Sequence, residues 1–157
     1  MIKMKIHLIN SISIIILLSL TSCMKVAEPE LHIFNEGFQG YVIIIFDDNQ
    51  GKEVKYINGY RVYEIPSDGI LRTKFKLQTG WIPNDKLRYS YDPNGQGKFI
   101  ECKVIEGEII DSISNCIHNK EISDGMIRYI VSPLNKIEFY YNNMRNKVDE
   151  LFPPIIQ

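Results

Sequence analysis

The sequence predicts a mainly β protein: a single antiparallel β-sandwich-like domain with one C-terminal α-helix. Between residues 37 and 77, four runs rich in β-branched and aromatic residues are separated by short breaks that carry Gly, Asn and Asp, as in a β-meander. Near the C-terminus the apolar residues recur at three- and four-residue steps, which is typical of a helix face. The chain has 157 residues, 45% of them hydrophobic and 24% charged, which is enough for one modest core.

The first three runs contain the best hairpin signal in the chain. Residues 41–46, YVIIIF, form an unbroken apolar run that predicts a strand covered on both faces. Two further strands are predicted over residues 54–57 and 60–65. Asn58-Gly59 lies between them and favours a type I′ turn, because both central positions of that turn need a positive φ.

The fourth run predicts a half-buried strand over residues 70–77. Pro66 has no backbone donor and ends the preceding strand, and the residues that follow it, Ser67, Asp68 and Gly69, form a turn. The next side chains alternate between apolar and cationic, so that one face is expected to be buried and the other wet. The predicted inward set is Leu71, Thr73, Phe75 and Leu77, and the outward set is Arg72, Lys74 and Lys76.

Shorter strands are predicted in the second half of the chain. The loop-like stretch 80–96 contains one short strand candidate over 86–91. Residues 98–105 and 108–113 predict a hairpin, and 127–131 predicts a last strand.

An amphipathic helix is predicted over residues 135–152. Asn135 can cap its first turn, with Glu138 completing a capping box, and Pro153-Pro154 ends it. We expect the apolar stripe to pack on the domain's own sheet, and a helix that docks a partner protein is the alternative. The stripe consists of Ile137, Tyr140, Tyr141, Met144, Val148, Leu151 and Phe152.

Residues 1–22 predict a lipoprotein signal peptide. Lys3 and Lys5 form a positive segment, and the apolar core at 12–20 is shorter than the roughly 20 residues that a membrane-spanning helix needs. The stretch ends in LTSC, which resembles the bacterial lipobox. That resemblance implies that Cys23 carries a diacylglyceryl group and becomes the first residue after cleavage. An uncleaved membrane anchor and a plain secretory peptide that carries a cysteine are the alternatives.

The predicted organisation therefore has three parts. After the signal peptide, residues 23–35 comprise the lipidated Cys23 and a short polar tether, in which Pro29 disfavours a helix. Residues 36–157 form the β-rich domain. The expected location is the bacterial cell envelope, outside the cytoplasm, where two or more acyl chains on one residue give stable membrane attachment.

Cys102 and Cys116 are the other two cysteines. In a protein outside the cytoplasm, such a pair predicts a disulfide. The bridge would close a loop of about 15 residues and stabilise the fold by roughly 3 kcal/mol. Two buried free thiols are the alternative.

The charge balance argues against nucleic acid as the main partner. Removing Lys3 and Lys5 from the 18 basic residues leaves 16 against 19 acidic residues, a formal charge of −3. The partner expected from the sequence is the membrane, through the lipid anchor. An envelope protein or polysaccharide is the further candidate.

No catalytic motif is found in the sequence. The nucleophile segment G-x-S-x-G and phosphate-binding glycine loops do not occur. His32, placed in the tether, and His118, placed in a loop, have no neighbour at metal-ligand spacing, so we predict no metal and no cofactor. Asp47, Asp48 and Asn49 are expected to form a turn, because a calcium loop needs acidic groups at alternate positions and a distal Glu.

Four side chains are candidates for a binding surface. Arg61 and Tyr63 lie on one predicted strand, Arg72 lies on the next, and Trp81 lies in the loop-like stretch. Cross-strand pairing on a sheet face and aromatic packing in a core are the structural alternatives.

Two segments resemble an uncharacterised domain family of small bacterial lipoproteins. One is the G-x-V-x-hydrophobic strand that begins at Gly40, and the other is G-x-R-V-Y-x-I-P-x-x-G-I-L-x-T at residues 59–73. The resemblance implies an envelope location and a β-rich fold and transfers no catalytic residues.

The sequence thus leads to two hypotheses of different classes. The first is a membrane-anchored lipoprotein, not an enzyme, that works as a binding or structural module of the envelope. The alternative is an envelope hydrolase or sugar-processing enzyme with a site built from loop residues 80–96.

Overall fold

The computed structural model describes residues 26–94, 100, 104–105, 108–109 and 116–153. The strands in chain order are β1 (Glu30–Ile33), β2 (Gly40–Ile45), β3 (Tyr56–Ile57), β4 (Tyr60–Glu64), β5 (Ile70–Arg72), β6 (Leu87–Ser90), β7 (Val104–Ile105), β8 (Glu108–Ile109), β9 (Cys116–Ser123) and β10 (Met126–Ser132). Helix α1 (Ile137–Leu151) follows them.

The chain divides into two compact units. The described part of the smaller unit consists of Val26, Ala27 and Thr79–Trp81. Here Val26 pairs with Trp81 in a parallel bridge, and the amide of Ala27 donates to the carbonyl of Trp81 at 3.0 Å. The strands and the helix named above all belong to the larger unit.

Two four-stranded sheets form the frame of the larger unit. The first sheet has the order β3-β4-β1-β6, and β1 is parallel to both of its neighbours. The second has the order β5-β2-β10-β9, in which β2 is parallel to β5 and antiparallel to β10. Strands β7 and β8 pair with each other in a separate antiparallel ladder.

The predicted fold class is confirmed, since the protein is mainly β with one C-terminal helix. The sheets are mixed, however, and the meander predicted over residues 37–77 is wrong. The chain passes from the second sheet to the first after β2 and returns after β4, so consecutive strands there pair only at the β3–β4 hairpin. Parallel neighbours need long connections, and no short sequence pattern encodes them.

The main hydrophobic core lies between the two sheets. It combines residues of the first sheet, such as Tyr63, with residues of the second sheet, such as Val42, Ile44 and Tyr129, all fully buried. Strand β2 is apolar at successive positions because its other face is covered as well. There Ile43 and its neighbours pack against α1, which confirms the prediction of a two-sided strand.

Helix α1 packs on the second sheet through the predicted stripe, with Met144 buried at its centre. Phe152 is the exception, since it follows the last residue of the helix and is 43% exposed. The predicted capping box is wrong. A 3-10 turn at Leu134–Lys136 precedes the helix, and the N-cap position is Lys136, with no side-chain capping bond. Among the described residues, no helix is both long and apolar enough to cross a membrane.

Local turn chemistry behaves as predicted. Asn58 and Gly59 have φ values of 50° and 80°, as a type I′ turn requires, and they join β3 to β4. The turn at residues 67–69 is also present: the amide of Gly69 bonds the carbonyl of Pro66 at 3.0 Å. The alternation over residues 70–77 is present in the burial pattern, although the regular strand ends at Arg72.

The predictions for the two segments that contain His32 and His118 are wrong. The tether was expected to reach residue 35, but Glu30–Ile33 forms β1, a central strand of the first sheet. His118 was placed in a loop and instead lies in β9, where its Nε2 donates to the carbonyl of Ser132 at 2.9 Å.

Candidate functional site

The most unusual site in the described residues is a buried polar cluster centred on β1. All four side chains of this strand are buried, although two are ionisable. Leu31 and Ile33 face the outer side of the first sheet, where they pack with Val62. Glu30 and His32 have the opposite orientation by the two-residue period of a strand, and they project between the sheets. They are 1% and 0% exposed.

Three tyrosines enclose His32. Tyr63 in β4 and Tyr89 in β6 are its register partners on either side, and each has its ring centroid 4.9 Å from that of the imidazole. Tyr129 approaches from β10 in the second sheet, with a centroid distance of 5.5 Å. The register of the parallel sheet thus places one imidazole among three aromatic rings.

The hydrogen bonds of the cluster define the tautomer of His32. Its Nε2 lies 3.3 Å from Oε2 of Glu30, and a carboxylate can only accept, so Nε2 carries the proton. Its Nδ1 therefore accepts from the hydroxyl of Tyr129, which lies 2.8 Å away. Gln78 and Tyr63 donate to the other carboxylate oxygen of Glu30, at 2.8 and 3.4 Å.

The charges of the cluster are set by burial and by Lys120. Burial raises the pKa of Glu30, but the hydrogen bonds from His32 and Gln78 and the positive charge of Lys120 outweigh it and hold the pKa below its usual value. Burial lowers the pKa of His32, even though Glu30 opposes this, so the imidazole is neutral at neutral pH. Burial, together with the Glu30 charge, raises the pKa of Tyr63 and of Tyr89.

A β-bulge positions Lys120, the positive charge that pairs with Glu30. The register between β9 and β10 shifts between Arg128 and Ile130, so that two residues of β9, one of them Lys120, lie opposite the single residue Tyr129. The Nζ of Lys120 is 3.6 Å from Oε2 of Glu30, and the side chain is 23% exposed. Lys120 is thus the member of the cluster that connects Glu30 with the surface.

Chemically, the cluster is an ion pair between Lys120 and Glu30 that continues as a hydrogen-bonded chain from Glu30 through His32 to Tyr129. A carboxylate, an imidazole and a hydroxyl in series are the parts of a general base with its nucleophile. Here the terminal hydroxyl of Tyr129 is fully buried and its pKa is raised by burial and by the neighbouring Tyr89. A substrate has no route to it in this conformation, and the arrangement instead links the two sheets.

Open grooves lie elsewhere, around Lys52. One groove of about 310 Å³ is lined by Lys52, Lys55, Glu64 and Leu71 among others. A second, of about 420 Å³, is lined by residues that include Lys52, Arg72 and Lys147, and a third, of about 400 Å³, includes Lys52, Glu64 and Tyr91. We call the exposed side chains around these grooves, Lys52, Val54, Lys55, Glu64 and Arg72, the Lys52 surface; Lys52 itself lines all three grooves.

Ion pairs give the Lys52 surface a mixed charge. Lys55 pairs with Glu64, and Nη1 of Arg72 lies 2.9 Å from Oδ2 of Asp48. The hydrogen bond from Arg72 and one from the amide of Gln50 lower the pKa of the Asp48 carboxyl. Asp48 therefore stabilises its own turn. Among the described residues, no group of three or more His, Cys, Asp or Glu could hold a metal ion.

The four predicted binding residues do not all lie at an exposed surface. Tyr63 is fully buried and Arg61 is 7% exposed, so their placement on a surface is wrong. Arg61 is held by the carbonyl of Lys76 and by the ring of Phe75. Arg72 is exposed on the Lys52 surface. Trp81 is 59% exposed and belongs to the smaller unit.

The cysteine predictions fall largely outside the described residues. Cys23 and Cys102 are not described, so the lipid attachment and the disulfide stay predictions. Cys116 begins β9, where it is fully buried opposite Ser132.

Sequence reasoning missed the buried cluster. The polar residues Glu30 and His32, with Pro29 close by, are typical of a tether. The three tyrosine partners lie far along the chain, so no local pattern connects them with β1. One signal was available: Leu31 and Ile33 alternate with Glu30 and His32 in the period of a strand.

Comparison with known proteins gives a family and a distant structural likeness. The sequence matches the family described as "Family of unknown function (DUF6843)" over residues 27–132. No curated protein matches it. Among solved structures, it is similar to the 2.75 Å crystal structure described as "Putative Lipoprotein from Bacillus anthracis", at 14% identity and a TM-score of 0.43. That similarity covers 80% of this chain and 96% of the other.

Proposed function

Because the chain belongs to DUF6843, a family of unknown function, we propose a role for it from its own residues. It is a lipid-anchored protein of the bacterial envelope that acts as a non-enzymatic binding module. The lipobox at residues 20–23 supports the anchor, and the strands that follow supply a folded domain close to the membrane.

One observation carries the non-enzymatic part of the proposal. The ionisable groups with the chemistry of a catalytic chain, Glu30, His32 and Tyr129, are each 1% exposed or less and are bonded to one another. None of them lines the three grooves around Lys52. Their hydrogen bonds join two sheets, and this is a structural role.

The Lys52 surface is the proposed contact with a partner. Its grooves are open, and the first combines the exposed apolar Val54 with both signs of charge, which suits an envelope protein or a polysaccharide. A groove of about 400 Å³ is also within the usual range for small ligands.

The anchor is tested by replacing Cys23 with Ser and fractionating the cells. We expect the wild-type protein in the membrane fraction, with an acylated N-terminal cysteine by mass spectrometry, and the variant in the soluble envelope fraction. A variant that remains in the membrane fraction to the same extent would contradict the anchor.

The contact surface is tested by photocrosslinking in intact cells. A photoreactive residue at Lys55 should give a discrete protein adduct or a glycan-sensitive smear. The same residue at Phe139, an exposed position on α1, is the control and should give neither. Equal adducts at both positions, or turnover of envelope glycan by the purified protein, would contradict the proposal.

A further inference from the structure

The smaller unit exposes two large apolar side chains that are far apart in sequence. Val26 is 63% exposed and Trp81 is 59% exposed. Single exposed apolar residues are ordinary on protein surfaces. These two are held together by the parallel bridge between them and by the bond from the amide of Ala27 to the carbonyl of Trp81.

The position of this pair relative to Cys23 is limited by chain length. Val26 follows Cys23 by three residues, so even a fully extended chain separates the two by at most about 11 Å. The backbones of two paired strands lie about 5 Å apart, so the backbone of Trp81 is at most about 16 Å from Cys23. The polar headgroup layer of a bilayer is about 5 to 8 Å thick on each side. An acylated Cys23 therefore keeps both residues within reach of the headgroup layer.

The chemistry of the two side chains suits that layer. An indole ring has a large apolar body and one N–H donor, and tryptophan is enriched where hydrocarbon meets water. The segment that links Cys23 to Val26 contains Lys25 and no acid, so it adds one positive charge. A lysine at this position favours anionic lipid headgroups.

We propose that Val26 and Trp81 form a second membrane contact that inserts into the lipid headgroup layer beside the acylated Cys23. The contact rests on the proposed lipid anchor, and its occupant is the bilayer surface. Two acyl chains alone leave a tethered domain free to rotate, whereas an inserted Trp81 gives the smaller unit a defined side towards the membrane.

The experiment uses Trp81 as its own probe, since it is the single tryptophan of the chain. The full-length acylated protein is reconstituted into phosphatidylcholine–phosphatidylglycerol vesicles, and vesicle flotation is measured first. We then expect the emission of Trp81 to shift to shorter wavelength relative to the unacylated Cys23→Ser protein in buffer. Lipids brominated close to the headgroup should quench it, and quenching by aqueous acrylamide should be lost.

A matched control moves the tryptophan elsewhere. Phe139 is 63% exposed on α1, and the double variant Trp81→Phe with Phe139→Trp should show water-exposed emission without quenching by brominated lipid. Equal lipid quenching at both positions would mean that the domain lies on the membrane non-specifically, which overturns the proposal.

The outcomes also separate this proposal from the anchor. Protein that floats with the vesicles while Trp81 stays accessible to acrylamide overturns the membrane contact and leaves the anchor intact. A blue shift without quenching by brominated lipid indicates a protein contact and also overturns it. Protein that is not acylated and does not float overturns the anchor and this contact together.

Discussion

The hydroxyl of Tyr129 in the second sheet donates to Nδ1 of His32 in the first sheet at 2.8 Å. This bond joins β10 to β1 across the hydrophobic core, and both residues are fully buried. A polar link in such a place fixes how the two sheets face each other, because each group would lose its partner if the sheets shifted.

The first prediction concerns the energy of that link. Tyr129→Phe removes the donor and should lower the free energy of unfolding by about 1 to 3 kcal/mol, because Nδ1 of His32 is left buried without a partner. His32→Phe should cost more, about 3 kcal/mol or above, because Glu30 also loses a donor.

Urea unfolding of both variants and of the double variant completes a thermodynamic cycle. The two residues are in direct contact, so we expect a coupling energy of at least about 0.5 kcal/mol. Purely additive losses would contradict a direct bond between them.

The second prediction is a loss of stability in acid that occurs in two stages. Burial lowers the pKa of His32 from its usual 6.5, so below about pH 6.5 the unfolded chain takes up a proton that the fold excludes, and stability falls. The pKa of Glu30 is lowered from its usual 4.5, so its contribution is present above about pH 4.5 and is lost as the pH falls below that value.

Unfolding midpoints in urea from pH 8 to pH 2 measure both stages. His32→Gln should flatten the curve just below pH 6.5, and Glu30→Gln should flatten it below pH 4.5. Wild-type and His32→Gln curves that run parallel between pH 7 and pH 5 would show that His32 is not held neutral by the fold.

The third prediction compares two glycines with positive φ. Gly69 has a φ of 78°, and a Cβ at this residue would lie 2.1 Å from the carbonyl oxygen of Tyr41. Gly59 has a φ of 80°, and nothing lies within 4 Å of its Cβ position.

Gly59→Ala should therefore cost only the backbone strain, about 1 kcal/mol. Gly69→Ala should cost clearly more, because it must also move β2 away from β5. Thermal unfolding of the two variants measures the difference, and equal losses would contradict the close approach at Tyr41.

The fourth prediction tests the docking of α1. Met144 is 1% exposed, at the centre of the helix face that packs on Ile43 and Ile130, so Met144→Ala should destabilise the protein by about 2 to 4 kcal/mol. Phe139→Ala, at a residue that is 63% exposed, is the control and should stay within about 0.5 kcal/mol of wild type. Chemical denaturation with equal losses in both variants would show that the stripe is not the packed face.

The parts of the fold that local chemistry determines could be predicted from the sequence. Asn58-Gly59 requires a particular turn, the apolar run in β2 requires cover on two faces, and the stripe on α1 requires a helix. The partners of these elements could not be predicted, because parallel pairing joins strands that lie far apart along the chain.

The buried cluster could not be predicted for a related reason. Glu30 and His32 can be buried only because other side chains bond, pair or pack with them. These partners are Tyr63, Tyr89, Tyr129 and Lys120, and none of them indicates that role by itself. Strand β9 was missed for its polar composition, which suits the edge of a sheet.

The central place of β1 also has a mechanical consequence. The proposed anchor lies only seven residues before Glu30, so a pull from the membrane that breaks the bonds of Val26 and Ala27 to Trp81 would next reach this strand. Its hydrogen bonds to β4 and β6 run across that direction on both sides, and they would have to shear together before the strand could leave the sheet. The strand that follows the proposed attachment point is thus held on both sides against such a pull.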